Sequence, residues 1–477
     1  MSLTALRHAE AFDTGRAVPA AALRHLHVEQ NPFVVAFHVL AGEPFALLGI
    51  TWGTEPARPA GYAVVAEPRN RDLRYAGLEA FAQALNDHVA PYLQISYDGR
   101  GQPQAAAAPQ IVVPNAAAAD ALVQMAGRGV RYSPGAPIAA QWAAAHLTFL
   151  GLEYGRAGQA MLVPATTALR THWVTGQAGV EDENLAALLA WIDPDPAHTS
   201  RAQRIAAIAA AEKHAWGPLR DPAADRDLMT LVIAHGRARP GRARDFAARR
   251  IIDAVMPELR HAYSGTHRAM QLLRTLELAP SAAARASTDR SNWAYYAKRC
   301  TDGVPRFSAR DSVGWAPVNA AALEDAANVV PAQMAYDDPL VMAVAEDTGA
   351  AFTGEVVYLD EENRERRKRN RVKVPMIVVR TPDRPAYPHG TRVRWAAHPG
   401  MVAEIRSTQP DQRQPGDHPD DRPYLVELAF LAKWRAQPLP AEGQCVTFAT
   451  SSPESSGRFA TGPIPSSWTH ERQGVPA

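Results

Sequence analysis

The sequence predicts a multi-domain α+β protein: an α/β domain at 1–175, an arginine-rich helical domain at 176–347, a small β-barrel at 348–450 and an irregular tail at 451–477. Three observations predict this organisation. The 477 residues correspond to about two to four domains. Short apolar runs alternate with helical periods in the first third of the chain. After Gly349 the pattern alternates, with turn residues about every eight to twelve positions, which is typical of a small barrel or a sandwich, and we expect a small barrel of the OB or SH3 type.

The first domain contains three consecutive predicted strands, then a helix, a strand, a helix, a short strand and a closing helix. Alternating or continuous apolar runs bounded by turn residues predict the strands, at 32–40, 44–52, 61–67, 109–115 and 130–132. Apolar residues at helical spacing predict the helices, at 72–89, around 121–125 and at 139–154.

This element order resembles the ribonuclease H-like fold, which also hosts proofreading exonucleases, transposases and the slicer domain of Argonaute proteins. A two-metal nuclease on this fold needs carboxylates on its first strand and on neighbouring elements. Here His38 lies in the first strand and Asn115 follows the later strand, where acids would be needed. The resemblance therefore implies an inactive domain. The alternative is a nuclease that uses Glu67, Asp72 and Asp87.

The helical domain is predicted from apolar residues at helical spacing among many arginines. Its helices are expected at 202–214, 221–235, 244–278, 293–300 and 318–345. The apolar face of the long helix at 244–278 is predicted to include Phe246, Ile251, Val255 and Leu259. Pro257 is expected to interrupt this helix, and Pro331 and Pro339 to break the last one.

The composition narrows the classes of function. Lys plus Arg (50) nearly balances Asp plus Glu (49), so a polyanion-binding surface would need local clustering of charge. Two cysteines, Cys300 and Cys445, form neither a disulfide framework nor a zinc ligand set. No nucleotide-binding loop, dinucleotide fingerprint, hydrolase elbow or zincin helix is present, so no cofactor is predicted. We expect a cytoplasmic protein from a GC-rich bacterial genome, with no membrane association.

Two clusters of basic residues are the strongest signal. The first lies around a loop that leads into a helix, where guanidinium groups and free backbone N–H groups suit phosphate. It comprises Arg237, Arg239, Arg242, Arg244, Arg249 and Arg250. The second lies between the first two barrel strands and comprises Arg364, Arg366, Arg367, Lys368, Arg369, Arg371 and Lys373. Arg392, Arg394 and Trp395 follow, and Trp395 is predicted to stack on a base, as in single-strand-binding barrels.

A long arginine-rich helix that leads into a barrel also resembles the stalk-and-barrel insertion of Upf-type superfamily-one helicases, over roughly residues 244 to 450. The sequence predicts a nucleic-acid-binding accessory subunit of a bacterial DNA- or RNA-processing or defence complex. It would bind single-stranded nucleic acid and have a helicase or nuclease as protein partner. The alternatives are the metal-dependent nuclease and a protein-assembly scaffold whose basic residues only solvate its surface.

Overall fold

The chain divides into two units, residues 6–312 and residues 1–5 together with 313–477. Each unit has hydrophobic clusters of its own. The computed structural model describes residues 2–40, 43–131, 135–179, 181–214, 216–217, 222–307, 316–367, 370–382, 384–412 and 422–455.

A five-stranded sheet lies at the centre of the first unit, in the order β4-β3-β2-β7-β8. The strands of this unit are β1 (Val18–Pro19), β2 (Phe33–Leu40), β3 (Glu43–Gly53), β4 (Gly61–Val64), β5 (Ile95–Tyr97), β6 (Pro103–Ala105), β7 (Ile111–Val113), β8 (Leu162–Pro164) and β9 (Trp173–Val174). Strands β2, β3 and β4 pair antiparallel, whereas β7 is parallel to β2, and β8 is parallel to β7. Strands β1 and β9, and strands β5 and β6, form two-stranded sheets.

Helices cover both faces of this sheet. The helices up to residue 300 are α1 (Leu3–Thr14), α2 (Arg71–Val89), α3 (Ala116–Leu122), α4 (Gly129–Arg131), α5 (Ile138–Tyr154), α6 (Ala165–His172), α7 (Leu185–Ile192), α8 (Arg201–Ala211), α9 (Pro222–Arg237), α10 (Arg242–Arg274) and α11 (Pro280–Cys300). Because alternate strand residues face opposite sides, Val35 and Phe37 join the core that holds α2 and α5. Val34 and Ala36 face α6, α7 and α10.

The strand predicted at 130–132 and the interruption predicted at Pro257 are wrong. Gly129–Arg131 is helical, so the described part of the predicted strand at 130–132 is not a strand. The fifth strand of the sheet is β8, which follows α5 instead of preceding it. Pro257 lies inside the continuous helix α10. Val255 and Leu259 pack against the sheet on either side of this proline, and that packing offsets the missing backbone hydrogen bond.

The second unit combines two helices with a closed six-stranded barrel, as the alternating pattern predicts. Its elements are α12 (Ala316–Asp337), α13 (Pro339–Asp347), β10 (Ala351–Asp360), β11 (Arg364–Arg367), β12 (Asn370–Lys373), β13 (Met376–Thr381), β14 (Arg392–Trp395), β15 (His398–Pro410), β16 (Tyr424–Ala432) and β17 (Cys445–Ala449). The barrel closes in the order β10-β13-β16-β15-β14-β17, with β17 paired to β10. Pro331 lies inside α12 and does not break it, whereas Pro339 begins α13.

The backbones of β10 and β13 approach each other closely where the two strands pair. A Cβ atom added to Gly354 would lie 2.2 Å from the carbonyl oxygen of Arg380, so glycine is needed there. The barrel interior is filled by apolar side chains that alternate along the strands, including Val379, Ile405, Leu428 and Phe448. The segment between β10 and β13 leaves the barrel as the separate hairpin β11–β12.

Candidate nucleic-acid interface

The hairpin β11–β12 carries the described part of the second basic cluster. Arg364 pairs with Lys373 across the two strands, and Arg366 pairs with Arg371. Side chains two residues apart on a strand, and those directly opposite across an antiparallel pair, share one face. Arg364, Arg366, Arg371 and Lys373 therefore lie on one face of the hairpin, which we call the cationic face.

Most of the cationic face is not neutralised by the protein. Arg364, Arg366 and Arg371 are exposed, and within the described residues no ion pair involves them. Lys373 is the exception, because its ammonium group lies 2.6 Å from a carboxylate oxygen of Glu362. This hydrogen bond and, to a smaller extent, the nearby charge of Arg364 lower the pKa of the Glu362 carboxyl group, so Glu362 partly offsets Arg364 as well. Like charges directly opposite each other destabilise a strand pair, so an anion bound between them would relieve a repulsion that the fold retains.

The other face of the hairpin attaches it to the barrel. Glu365 lies on this face, and both of its carboxylate oxygens accept hydrogen bonds of 2.7 Å from the Arg406 guanidinium group in β15. Arg406 also contacts Glu404. At the base of the hairpin, the backbone N–H of Val374 donates to the Asn363 carbonyl, and the Asn363 side-chain amide donates to the Val374 carbonyl. These bonds fix the direction in which the cationic face points.

A cleft with an aromatic wall adjoins the cationic face. It has a volume of about 420 Å³ and runs between β12 and a 3₁₀ turn at Trp434–Ala436. The half-buried Trp434 ring has the Arg435 guanidinium carbon 5.0 Å and the Lys373 ammonium nitrogen 5.9 Å from its centroid. Both distances are within the range of cation–π attraction. Lys433 is the only described non-glycine residue with positive φ, at 57°. Such backbone conformations concentrate at functional sites.

The structure corrects the predicted stacking role of Trp395. This side chain is 4% exposed, packs in the barrel core and contacts the His398 ring. Arg394 is half-buried and donates to the Pro399 carbonyl at 2.9 Å. Arg392 is exposed and lies directly opposite Glu404 on β15. Trp395 is therefore inaccessible to a base, and Trp434, which the sequence analysis missed, is the aromatic residue beside the cations.

Three residues of the second cluster are only partly or not described. Lys368 and Arg369 lie outside the described residues, and Arg367 is described only as part of β11. A signal for Trp434 was present in the sequence, because it stands between Lys433 and Arg435 directly after a barrel strand. A tryptophan with a basic residue on each side in the sequence is the same combination of aromatic and cationic residues that was predicted at Trp395.

The first basic cluster lies in the other unit, around the start of α10. Five of its members are exposed and form no ion pair within the described residues. They are Arg237, Arg239, Arg242, Arg249 and Arg250. Arg244 differs, because its guanidinium group forms an ion pair with Glu67. Gly241 precedes the helix with φ of 95°, a conformation that favours glycine. The first cluster thus gives an exposed cationic surface on the unit that contains the five-stranded sheet.

The positions that a nuclease site would use hold structural hydrogen bonds. His38 is buried in β2, and its Nδ1 donates to the Gly217 carbonyl oxygen at 2.8 Å. The side-chain amide oxygen of Asn115 accepts a hydrogen bond from the backbone N–H of Ala118 and caps α3. A Cβ atom on Gly217 would lie 2.5 Å from the Asn115 amide, so this backbone covers both residues.

The three acids of the alternative nuclease hypothesis have other neighbours. Glu67 pairs with Arg244 and lies 3.6 Å from the His235 ring. Asp72 is exposed in the first turn of α2, and Asp87 accepts a hydrogen bond from the Gln83 amide. Among the described residues, no group of three or more His, Cys, Asp or Glu side chains is arranged to hold a metal ion.

Comparison of the chain with protein-family models, curated proteins and solved structures gives no match. In the described part of the chain, none of the helices has the length and apolar character needed to cross a bilayer.

Proposed function

We propose that this chain binds single-stranded nucleic acid through the cationic face of the hairpin β11–β12 and the adjoining Trp434 cleft. The observation that carries the proposal is the direct opposition of Arg366 and Arg371 on an exposed face, beside an aromatic ring flanked by two cations. Guanidinium groups neutralise phosphates, and an aromatic side chain offers a surface on which an unpaired base stacks. Both elements lie in the same unit.

A single strand fits this arrangement better than a duplex. The bases of a duplex are stacked on one another, so their faces are not open to a side chain such as Trp434. The small closed barrel supports an assignment to the OB or SH3 type, and OB-folds bind oligonucleotides. In the other unit, three consecutive antiparallel strands followed by parallel partners support the ribonuclease H-like assignment. The structural roles of His38 and Asn115 support an inactive version of that fold.

We further propose that the chain serves as an accessory subunit of a DNA- or RNA-processing or defence complex in the bacterial cytoplasm. A helicase or nuclease would then be its protein partner. The basis is the combination of a nucleic-acid-binding surface with a ribonuclease H-like unit in which the expected metal-binding carboxylates are replaced.

The direct test measures binding of the full chain to labelled single-stranded DNA and RNA by fluorescence anisotropy over a series of salt concentrations. We expect log K to fall by about 0.7 per phosphate contact for each tenfold rise in salt. Replacing Arg364, Arg366 and Arg371 with Glu should weaken binding and flatten this dependence.

The matched control carries the same charge change at three exposed arginines outside the clusters, Arg58, Arg100 and Arg226. It should keep the wild-type salt dependence. Binding that does not change with salt, or equal losses in the two triple variants, would contradict the proposal. A chain that binds no oligonucleotide but captures an acidic protein would favour the scaffold alternative instead.

A further inference from the structure

Phe246 lies on the solvent side of α10, contrary to its predicted place on the apolar face. It is 65% exposed, whereas Ile251, Val255 and Leu259 of the same helix are buried against the sheet. Phe246 and Val255 are nine residues apart, which at 3.6 residues per turn places them about 180° apart around the helix. The ring therefore projects away from the core.

Three arginines are helical neighbours of Phe246. On a helix, residues three or four apart are neighbours, so Arg242, Arg249 and Arg250 flank Phe246 on both sides along the axis. All three are exposed and have no ion pair within the described residues. Two exposed acids limit the cationic surface: Asp245, which is a helical neighbour of Arg242 and Arg249, and Asp253, about two turns beyond Phe246.

A comparison with Phe12 separates this ring from an ordinary exposed phenylalanine. Phe12 is 53% exposed, but the Arg201 guanidinium carbon lies 4.7 Å from its centroid, so this ring already has a cation over one face. No ring or cation–π contact to Phe246 is formed within the described part of the chain. Single exposed apolar side chains are common in proteins, so it is the combination of an uncovered aromatic ring with unpaired arginines that points to a ligand.

We propose that Phe246, with Arg242, Arg249 and Arg250, forms a second contact site for single-stranded nucleic acid, in which a base stacks on the ring and the guanidinium groups bind the flanking phosphates. This inference rests on the proposed function and adds a site on the other unit of the chain. Charge complementarity selects a polyanion, and the aromatic ring selects one with accessible base faces. Arg244 takes no part in this site, because Glu67 neutralises it.

The test compares two single strands of equal length and charge, one with bases and one abasic, each about 20 nucleotides so that it exceeds a single site. Full-length wild type, Phe246→Ala, Phe246→Trp and the control Phe12→Ala are measured by fluorescence anisotropy. Phe246→Ala should weaken binding of the base-containing strand about fivefold to a hundredfold and leave binding of the abasic strand within about twofold. Phe246→Trp should retain wild-type affinity.

The possible results distinguish a failure of the Phe246 site from a failure of the hairpin site. Wild-type binding that depends on salt, together with a Phe246→Ala variant that binds both strands like Phe12→Ala, overturns the second site and leaves the hairpin proposal standing. Equal losses of affinity for both strands in Phe246→Ala also overturn base stacking. Absence of any wild-type binding overturns both proposals. Because Phe246 is largely exposed, melting temperatures of the variants should agree within about two degrees, which confirms that they are folded.

Discussion

Arg366 and Arg371 lie directly opposite each other in the hairpin β11–β12, as paired residues of its two strands. Two positive charges on opposed strand positions repel, and no acid within the described residues pairs with either of them. The hairpin is held by the ion pair between Glu365 and Arg406 on its other face. The repulsion that lowers the stability of the hairpin is therefore the same feature that favours the binding of an anion.

The first prediction concerns this opposition. Arg371→Glu places a carboxylate opposite Arg366 and should raise the free energy of unfolding of the barrel unit by up to about 1 kcal/mol. The same change should weaken single-strand binding and reduce its salt slope by about 0.7 or more, because a phosphate contact is lost. Denaturant unfolding and salt-dependent anisotropy provide the two measurements. A variant that is less stable than wild type, or that binds with an unchanged slope, would contradict the argument.

The second prediction separates two tryptophans of the same unit. Trp395→Ala removes a core side chain that is 4% exposed and should lower the free energy of unfolding by about 3–5 kcal/mol. Trp434→Ala removes a half-buried ring at the cleft and should cost less stability while weakening binding of base-containing strands about fivefold or more. Denaturant unfolding and binding are measured for both variants. A Trp434→Ala variant with wild-type affinity would remove the cleft from the binding surface.

The difference between these tryptophans shows what the sequence could reveal about the barrel. Alternation with a period of two predicted the strands and the closed barrel, because each strand has one face in the core. The same alternation places Trp395 beside Val393 inside the barrel and Arg394 on the other face of β14, so the two predicted ligand contacts could not share a surface. The alternation along β14 therefore predicts that Trp395 faces the core. A binding site predicted from residue type alone does not use that information.

Phe246 gives the same lesson for a helix. It stands five residues before Ile251, which at about 100° per residue puts the two side chains on different sides of α10. The helical period was sufficient to exclude Phe246 from the core.

Other features depend on contacts distant in sequence and left no local signal. Examples are the ion pair of Glu67 with Arg244 and the three-residue strand β8, which is too short for periodicity to identify.

The third prediction concerns the backbone of Lys433. Its φ of 57° is costly for a residue with a side chain and is adopted readily by glycine. Lys433→Gly should therefore raise the free energy of unfolding by up to about 1 kcal/mol relative to Lys433→Ala, which removes the same charge and keeps the strain. Denaturant unfolding measures the difference in unfolding free energy between the two variants, which comes from the backbone at this position. Equal stabilities would show that the strain is no larger than the extra conformational entropy that glycine loses on folding.

The fourth prediction concerns three histidines of the first unit, the buried His146 and His267 and the partly buried His88. Burial lowers the pKa of His88 and His146 from 6.5 to about 4, and burial together with the charge of Arg274 lowers that of His267 to about 4. His88 packs between Phe33 and Tyr92, and the His146 ring hydrogen-bonds the Tyr296 hydroxyl at 2.8 Å. These rings are neutral in the folded chain at pH 7, and charging any of them would place an unpaired cation in the core.

The unfolded chain binds protons at these histidines near pH 6.5, whereas the folded chain resists protonation until about pH 4. Stability is therefore complete above pH 6.5 and should fall as the pH drops from 6.5 toward 4. For His146 alone, we expect a loss on the order of 2 kcal/mol between pH 6.5 and 5. His146→Gln should be less stable than wild type at pH 7 but lose less stability on acidification. Urea unfolding of the first unit at several pH values measures both effects, and equal pH dependence in the two proteins would show that His146 is not protonated on unfolding in this range.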